Sequence, residues 1–470
     1  MGNDALRDLV GQLRSRRINR RRFVQGTAAL GVSATAVSSA LRTTPSARAA
    51  TEVTMWTTFT AQDLANIQAV VDGYNAVATG APVKLVGVPP ADVTDTSKLM
   101  TAVRGGTGPD IYLLDRFIVA QNAATGLLQD LSSLGADDII KNYVPFAQQE
   151  ASYNGKVWAL PFDTDARALY YNKAMLTAVG VDPAEFDQSK GPLTYDRVAE
   201  VANMMNKLDS NGNYSQLGFI PWVNQGWHYG FGFSWGGSFF DYTKCEVSPD
   251  DPKIVDAFTW VQNYCKALGA DKVSAFGTPT MQAAFDNSQH PFYLGTLGME
   301  ITGDWVISQI AQYAPTLDYG ITWMPVPKAG DASVTWAGGW SVVIPTGAKN
   351  VADAWTAMQF IGGAEGSKIY TTKSNHLTTV TSLLSDASLF AGPHKFFADM
   401  LPTAKNRPPL PVGAEYWDAL TVAWQKTYLD QGAPADLLKA VKDQVDQDLA
   451  QYCPIAAPAS TTGVTATPTS

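Results

Sequence analysis

The residues best suited to chemistry in this chain are carboxylates that lie near aromatic rings. Asp163 and Asp165 stand two apart in Pro161-Phe162-Asp163-Thr164-Asp165, and Asp115 closes an apolar run and is followed by Arg116. Trp56, Trp222, Trp227, Trp235, Trp305, Trp336, Trp340 and Trp417 mostly neighbour Gly, Pro or acidic residues, as loop residues do. A loop-borne indole presents a flat apolar face, and an ionised carboxylate accepts charge-assisted hydrogen bonds. That combination suits a pyranose ring, which has an apolar C–H face and a rim of hydroxyls. The competing reading is that these Trp residues fill a seam between lobes. Trp260 and Trp355, on helical stripes, read as core.

Two carboxyls could also hydrolyse a glycosidic bond if they stood about 5 to 10 Å apart. Sequence neither places nor excludes such a pair, so a secreted carbohydrate-active enzyme stays open as the alternative. Other chemistries lose support. There is no G-x-x-x-x-G-K-[ST] run and no helix-opening G-x-G-x-x-G. His228, His290, His376 and His394 have no partner at metal-ligand spacing. Asp209, Asn211 and Asn213 alternate like a calcium loop, but Gly212 is at the wrong offset and Ile220 cannot ligate, so the segment reads as a turn. Neither a cofactor nor a metal is expected.

A chain of 470 residues, 46% hydrophobic and 16% charged, exceeds the roughly 250 to 300 residues at which single cores stop growing, so two lobes are expected. Residues 1–50 hold nine Arg against two Asp, which leaves a markedly acidic body. That body argues against nucleic acid as a partner. Arg20-Arg21-Arg22-Phe23-Val24, a mildly apolar stretch to Leu41, and Ala47-Arg48-Ala49 resemble a twin-arginine export signal over residues 1–49, with cleavage before Ala50. A membrane anchor over Phe23 to Leu41 is the other reading. No cysteine lies near the cleavage point for lipid attachment, so a periplasmic or cell-surface protein without a lipid anchor is expected.

The elements that position these residues alternate in type. Val53 to Trp56, Val83 to Val88 and Asp110 to Leu114 read as strands; Leu64, Ile67, Val71 and Tyr74 recur at helical spacing, and helices are expected over Lys98 to Arg104 and Phe117 to Ala124. The fold class is therefore α/β. Later helices run through Val198, Val201, Met205 and Leu208, through Ile254 to Leu268, and through Leu437 to Leu449, while Pro454 to Ser470 has the composition of a disordered tail. Cys245, Cys265 and Cys453 allow three single pairings. Cys245 with Cys265 is preferred, although Cys265 also falls on an apolar helix stripe where a buried free thiol would sit.

Several segments, in order, resemble the extracellular solute-binding proteins of ABC importers, specifically the carbohydrate-binding class. They are LMTAVRGGTGPDIYLLD from Leu99, GLLQDL from Gly126, NGKVWALPFDTDARALYYNK from Asn154, MEITGDW from Met299, DYGITWMPVP from Asp318 and GGWSVVIP from Gly338. The resemblance implies a two-lobe periplasmic-binding-protein-like fold with a hinge and an inter-lobe ligand cleft. It assigns residues 50–163 and 328–380 to the N-terminal lobe, and 164–327 and 381–453 to the other. It implies a non-enzymatic, monomeric receptor that carries a carbohydrate to a membrane permease; the same fold could bind a polyamine or other polar solute. Trp56, Asp115-Arg116-Phe117 and Asp165 look like family sugar-contact positions and Trp305 and Trp417 like its stacking aromatics, with Trp340 and one of Trp227, His228 and Tyr229 as further contacts. Arg116 has a second reading, as the bidentate partner that orients Asp115.

Overall fold

The computed structural model describes residues 52–88, 95–281 and 289–457. The expected export signal and residues 458–470 of the expected tail lie outside these. Along the chain come β1 (Val53–Thr57), β2 (Val83–Gly87), β3 (Ile111–Asp115), β4 (Leu160–Pro161), β5 (Arg167–Asn172), β6 (Lys207–Leu208), β7 (Tyr214–Phe219), β8 (Leu297–Gly303), β9 (Tyr319–Thr322) and β10 (Trp340–Val343). They form two five-stranded sheets, ordered β2-β1-β3-β10-β4 and β9-β5-β8-β7-β6. Both are mixed: β1 runs parallel to β2 and β3 while β10 opposes β3, and β8 runs parallel to β7 but opposes β5.

Burial follows position in the sheet. Every residue of β3, β5 and β8 is buried, as expected for inner strands covered on both faces. Helix Ala61–Val77 turns Ile67, Val70, Val71 and Tyr74 inward, and helix Pro252–Leu268 does the same with Ile254, Phe258, Val261 and Cys265. Helix Tyr195–Met205 stops before Leu208, which was expected on its stripe. Asp209 Oδ1 accepts from the N–H groups of Asn211 and Asn213, closing a turn that draws Leu208 into edge strand β6, where it is 54% exposed. This is the turn expected at Asp209.

The sheets are joined by chain segments that lie side by side. Residues 162–166 lead from β4 to β5; a second segment returns into β10, and residues 375–380 form a third. Thr164 bridges to Leu377, Thr335 Oγ1 accepts from Arg167 N at 2.8 Å, and Trp336 bridges to Lys405. Gly339 shows how tightly they pack. With φ of +125° it favours glycine, and a Cβ there would meet the Asp163 carbonyl oxygen at 2.5 Å.

The disulfide is Cys245–Cys453, which corrects the expected Cys245–Cys265 pair. Cys265 is the free, buried thiol, because it faces the core from its helix. Cys245 sits at the turn between Phe240–Asp241 and Glu246–Val247. Helix Pro434–Leu449 docks on that hairpin through Asp446 Oδ1, which accepts from Val247 N, and through Lys442 Nζ, which donates to Glu246, so the following residues reach Cys245. Beyond Cys453, Ile455 is buried at 6% exposure, although the tail was expected to begin at Pro454. Among the described residues no helix is long and apolar enough to cross a membrane.

Candidate functional site

Where the crossing segments meet, three arginines hold a set of carboxylates. Asp115 ends β3, in register with Trp340 at the start of β10. Its Oδ1 accepts from Phe117 N at 3.3 Å and from Arg407 Nη2 at 3.0 Å. Asp165, in the first crossing, is bound likewise: its Oδ1 accepts from Arg167 Nη1 and from Gly338 N at 2.6 Å. In both residues the hydrogen bonds made among the described residues fall on Oδ1 and none on Oδ2. Both side chains keep slight exposure, 12% for Asp115 and 10% for Asp165. Each negative charge is met by a guanidinium, so this floor is strongly polar and locally compensated.

Arg116 takes neither expected role. Its side chain is fully buried; Nε donates to Glu150 Oε2 at 2.8 Å, Nη1 to Asp163 O at 2.6 Å, and Nη2 to Gly338 O. It binds the first and second crossings together, and the partner of Asp115 is Arg407. Internal acceptors consume the donors of Arg116, which removes it from ligand contact. Asp163 lies below the surface; its Oδ1 accepts from Trp340 N at 2.7 Å, and its Oδ2 is 3.5 Å from His376 Nδ1. Burial pushes the Asp163 carboxyl up to about 7 and His376 down to about 4. Burial also raises Asp304, Glu150 and Asp115; for Asp115, Arg407 is the strongest opposing influence.

Aromatic rings flank this floor. Trp417, from helix Gly413–Tyr428, lies 5.2 Å from Trp227, 4.9 Å from His228, 6.1 Å from Tyr229, 6.0 Å from Trp336 and 5.8 Å from Phe117. His228, Tyr229 and Trp417 are all buried, and burial holds His228 neutral by lowering it to about 3, so Trp227 is the half-exposed member of its trio. Trp305 is half-buried, stacked on His376 at 5.5 Å, with the Arg167 guanidinium 5.6 Å from its ring. Trp340 is half-buried against the edge of Phe59 at 4.4 Å. Trp56 is half-buried on β1 opposite Tyr112, and none of the ring contacts just described includes it. The structure thus gathers Asp115, Asp165, Trp340 and the Trp227–Trp417 cluster, with Trp305 on the Arg167 side.

Sequence reasoning missed Arg407 and Arg167 and gave Trp336 no particular role. Trp336 is buried, with Arg167 4.0 Å and Arg407 5.3 Å from its ring centroid. Arg167 was legible, two residues after Asp165; nothing local marks Arg407. Gly232-Phe233-Ser234-Trp235-Gly236 has the spacing of a nucleophile elbow, yet Ser234 ends helix His228–Ser234 and its Oγ donates to Gly230 O. That is not a strand-to-helix turn exposing a nucleophile.

The bacterial extracellular solute-binding protein family matches residues 60–368. The maltotriose-binding protein of Pyrococcus abyssi is 22% identical over 397 residues, covering 83% of this chain and 78% of that protein. The galactooligosaccharide-binding protein of Bacillus subtilis is 22% identical over 341 residues, covering 71% and 75%. CpMnBP1 with mannobiose bound has a TM-score of 0.73 at 22% identity, over 84% of this chain and 99% of that one. The GacH receptor of Streptomyces glaucescens, solved unliganded and with acarbose, has a TM-score of 0.69 at 23% identity, over 85% and 98%. These structures share the two-lobe α/β fold. With the family match spanning the larger part of its length, the chain belongs to the bacterial extracellular solute-binding proteins.

Proposed function

We propose that this protein is the receptor of an ABC importer for a neutral oligosaccharide or glycoside, held between the lobes and released to a membrane permease. As a member of a solute-binding family it captures its ligand without turning it over. The observation that carries the sugar assignment is the pair of half-satisfied carboxylates, Asp115 and Asp165, beside indole faces. Each offers one oxygen to a hydroxyl, and each is already matched by an arginine, which disfavours a cationic solute such as a polyamine. Trp227, Trp305, Trp340 and Trp417 supply apolar plates. The oligosaccharides named for the relatives support the same class.

In this reading residues 50–163 and 328–380 form one lobe and 164–327 and 381–453 the other, consistent with the membership of the two sheets. Export uses the twin-arginine signal of residues 1–49, and the mature receptor is a monomer without a lipid anchor. The test is thermal unfolding of the protein from Ala50 against mono- and oligosaccharides, with polyols and polyamines as controls. A ligand at 100 times its dissociation constant stabilises by about 2.7 kcal/mol. A raised midpoint with one neutral sugar class, recovered unchanged, is expected. Stabilisation by a polyamine alone, or cleavage of the sugar, would overturn the assignment.

A further inference from the structure

Arg407 touches both halves of the recognition chemistry. It lies in the irregular stretch before helix Gly413–Tyr428, anchored where Lys405 N donates to Thr335 O and Ala337 N to Lys405 O, both at 2.8 Å. Its Nη2 donates to Asp115 Oδ1 at 3.0 Å. Its guanidinium carbon is 3.8 Å from the Phe117 ring centroid, 5.3 Å from that of Trp336 and 5.6 Å from that of Trp417. With the side chain 5% exposed, it supports these groups mostly from beneath. We propose that Arg407 is a positioning residue, fixing the Asp115 carboxylate relative to the Trp336 and Trp417 rings so that a sugar's hydroxyl rim and apolar face are met together. This assignment rests on the carbohydrate reading above.

Two physical features single out arginine here. A planar guanidinium can lie against rings while donating in its own plane, whereas an ammonium can hold the charge but not the stack. The second feature is charge. Facing Asp115 are Arg407, Arg116 from the next position, Asp163 and Asp165 from the first crossing, and Glu150 from helix Pro145–Glu150. Arg116 is bound to Glu150, whose other oxygen lies 4.0 Å from Arg407 Nε, so loss of Arg407 leaves Asp115 and Glu150 desolvated with Arg116 as their one shared cation. Asp115 then holds its proton to higher pH and accepts more weakly.

The experiment is calorimetric titration of the stabilising oligosaccharide into wild type, R407K, R407M, D115N and D115N/R407M, from about pH 5.5 to about pH 8.5. R407M is expected to bind roughly 10- to 100-fold more weakly at the acid end and to recover as pH rises. R407K keeps the charge and falls between R407M and wild type. In the D115N background R407M should add less than about threefold, because its effect runs through Asp115. Equal losses in both backgrounds, with no pH dependence, would overturn the proposal even if the variants are also less stable. If wild type binds no carbohydrate, the sugar reading itself fails and this assignment falls with it; if wild type binds and the cycle is additive, only the role of Arg407 fails.

Discussion

Asp165 and Arg167 lie two residues apart in the first crossing, whereas Asp115 and Arg407 come from positions 292 apart. Both pairs use Oδ1, with no hydrogen bond to Oδ2 among the described residues, and Trp336 lies against both guanidinia. They differ in how deeply each arginine is tied. Arg167 donates to Asp165, to Trp336 O at 3.2 Å and to Gln225 Oε1 at 3.1 Å, and its backbone N and O both pair with Thr335 Oγ1. Among the described residues Arg407 makes one side-chain hydrogen bond, to Asp115, with Glu150 Oε1 4.0 Å from its Nε, and otherwise rests on rings. The first pair therefore belongs chiefly to the scaffold of the crossing, and the second to the tuning of the site.

Removing each arginine tests that division. Arg167→Met leaves Asp165 buried without its cation and should cost about 3–5 kcal/mol in urea unfolding. Arg407→Met should cost distinctly less stability while losing more affinity; equal stability losses would break the distinction. A control remote from both pairs is the double change Cys245→Ser with Cys453→Ser. Opening the loop closed by that disulfide should cost about 2–4 kcal/mol and leave sugar affinity unchanged, as unfolding and titration together would show.

Glu300 sharpens the comparison, as a buried carboxyl with no Lys or Arg partner among the described residues. Burial raises it from 4.5 to about 8, and His290, with Nε2 3.5 Å away, is itself pushed down to about 4 and is neutral at pH 7. Because the folded value is raised, its favourable contribution is full below about pH 4.5 and is lost as pH rises towards about 8, at no more than about 1.4 kcal/mol per pH unit. Glu300→Gln should flatten that slope; an unchanged pH–stability curve would contradict the protonated assignment. The smallest effect is expected for Trp336→Leu, which keeps an apolar filler but removes the plate shared by both guanidinia. About 1 kcal/mol of stability should be lost, with a modest fall in affinity.

Strands, helices and the α/β class were legible because burial imposes periods of two and of three to four on the sequence, as in β1 and in Ile67, Val71 and Tyr74. Leu208 broke its pattern because a side-chain-closed turn outcompeted the last helical turn. Asp115 and Asp165 were legible as chemistry, and Arg167 was within reach of the same motif. Arg407 was not, since Asn406-Arg407-Pro408 has no local feature that announces a partner near position 115. Arg116 misled for the opposite reason: adjacency to Asp115 suggested a brace, but buried carbonyls and Glu150 claim its donors. The disulfide also depended on long-range docking, of helix Pro434–Leu449 on the hairpin that carries Cys245.

The most direct test of the central claim is calorimetric titration of one neutral oligosaccharide into wild type, D115N and D165N. If the two Oδ2 atoms accept sugar hydroxyls, each variant should bind about 10- to 100-fold more weakly than wild type. Wild-type affinity retained in both variants would contradict the account, because neither carboxylate would then be holding the ligand.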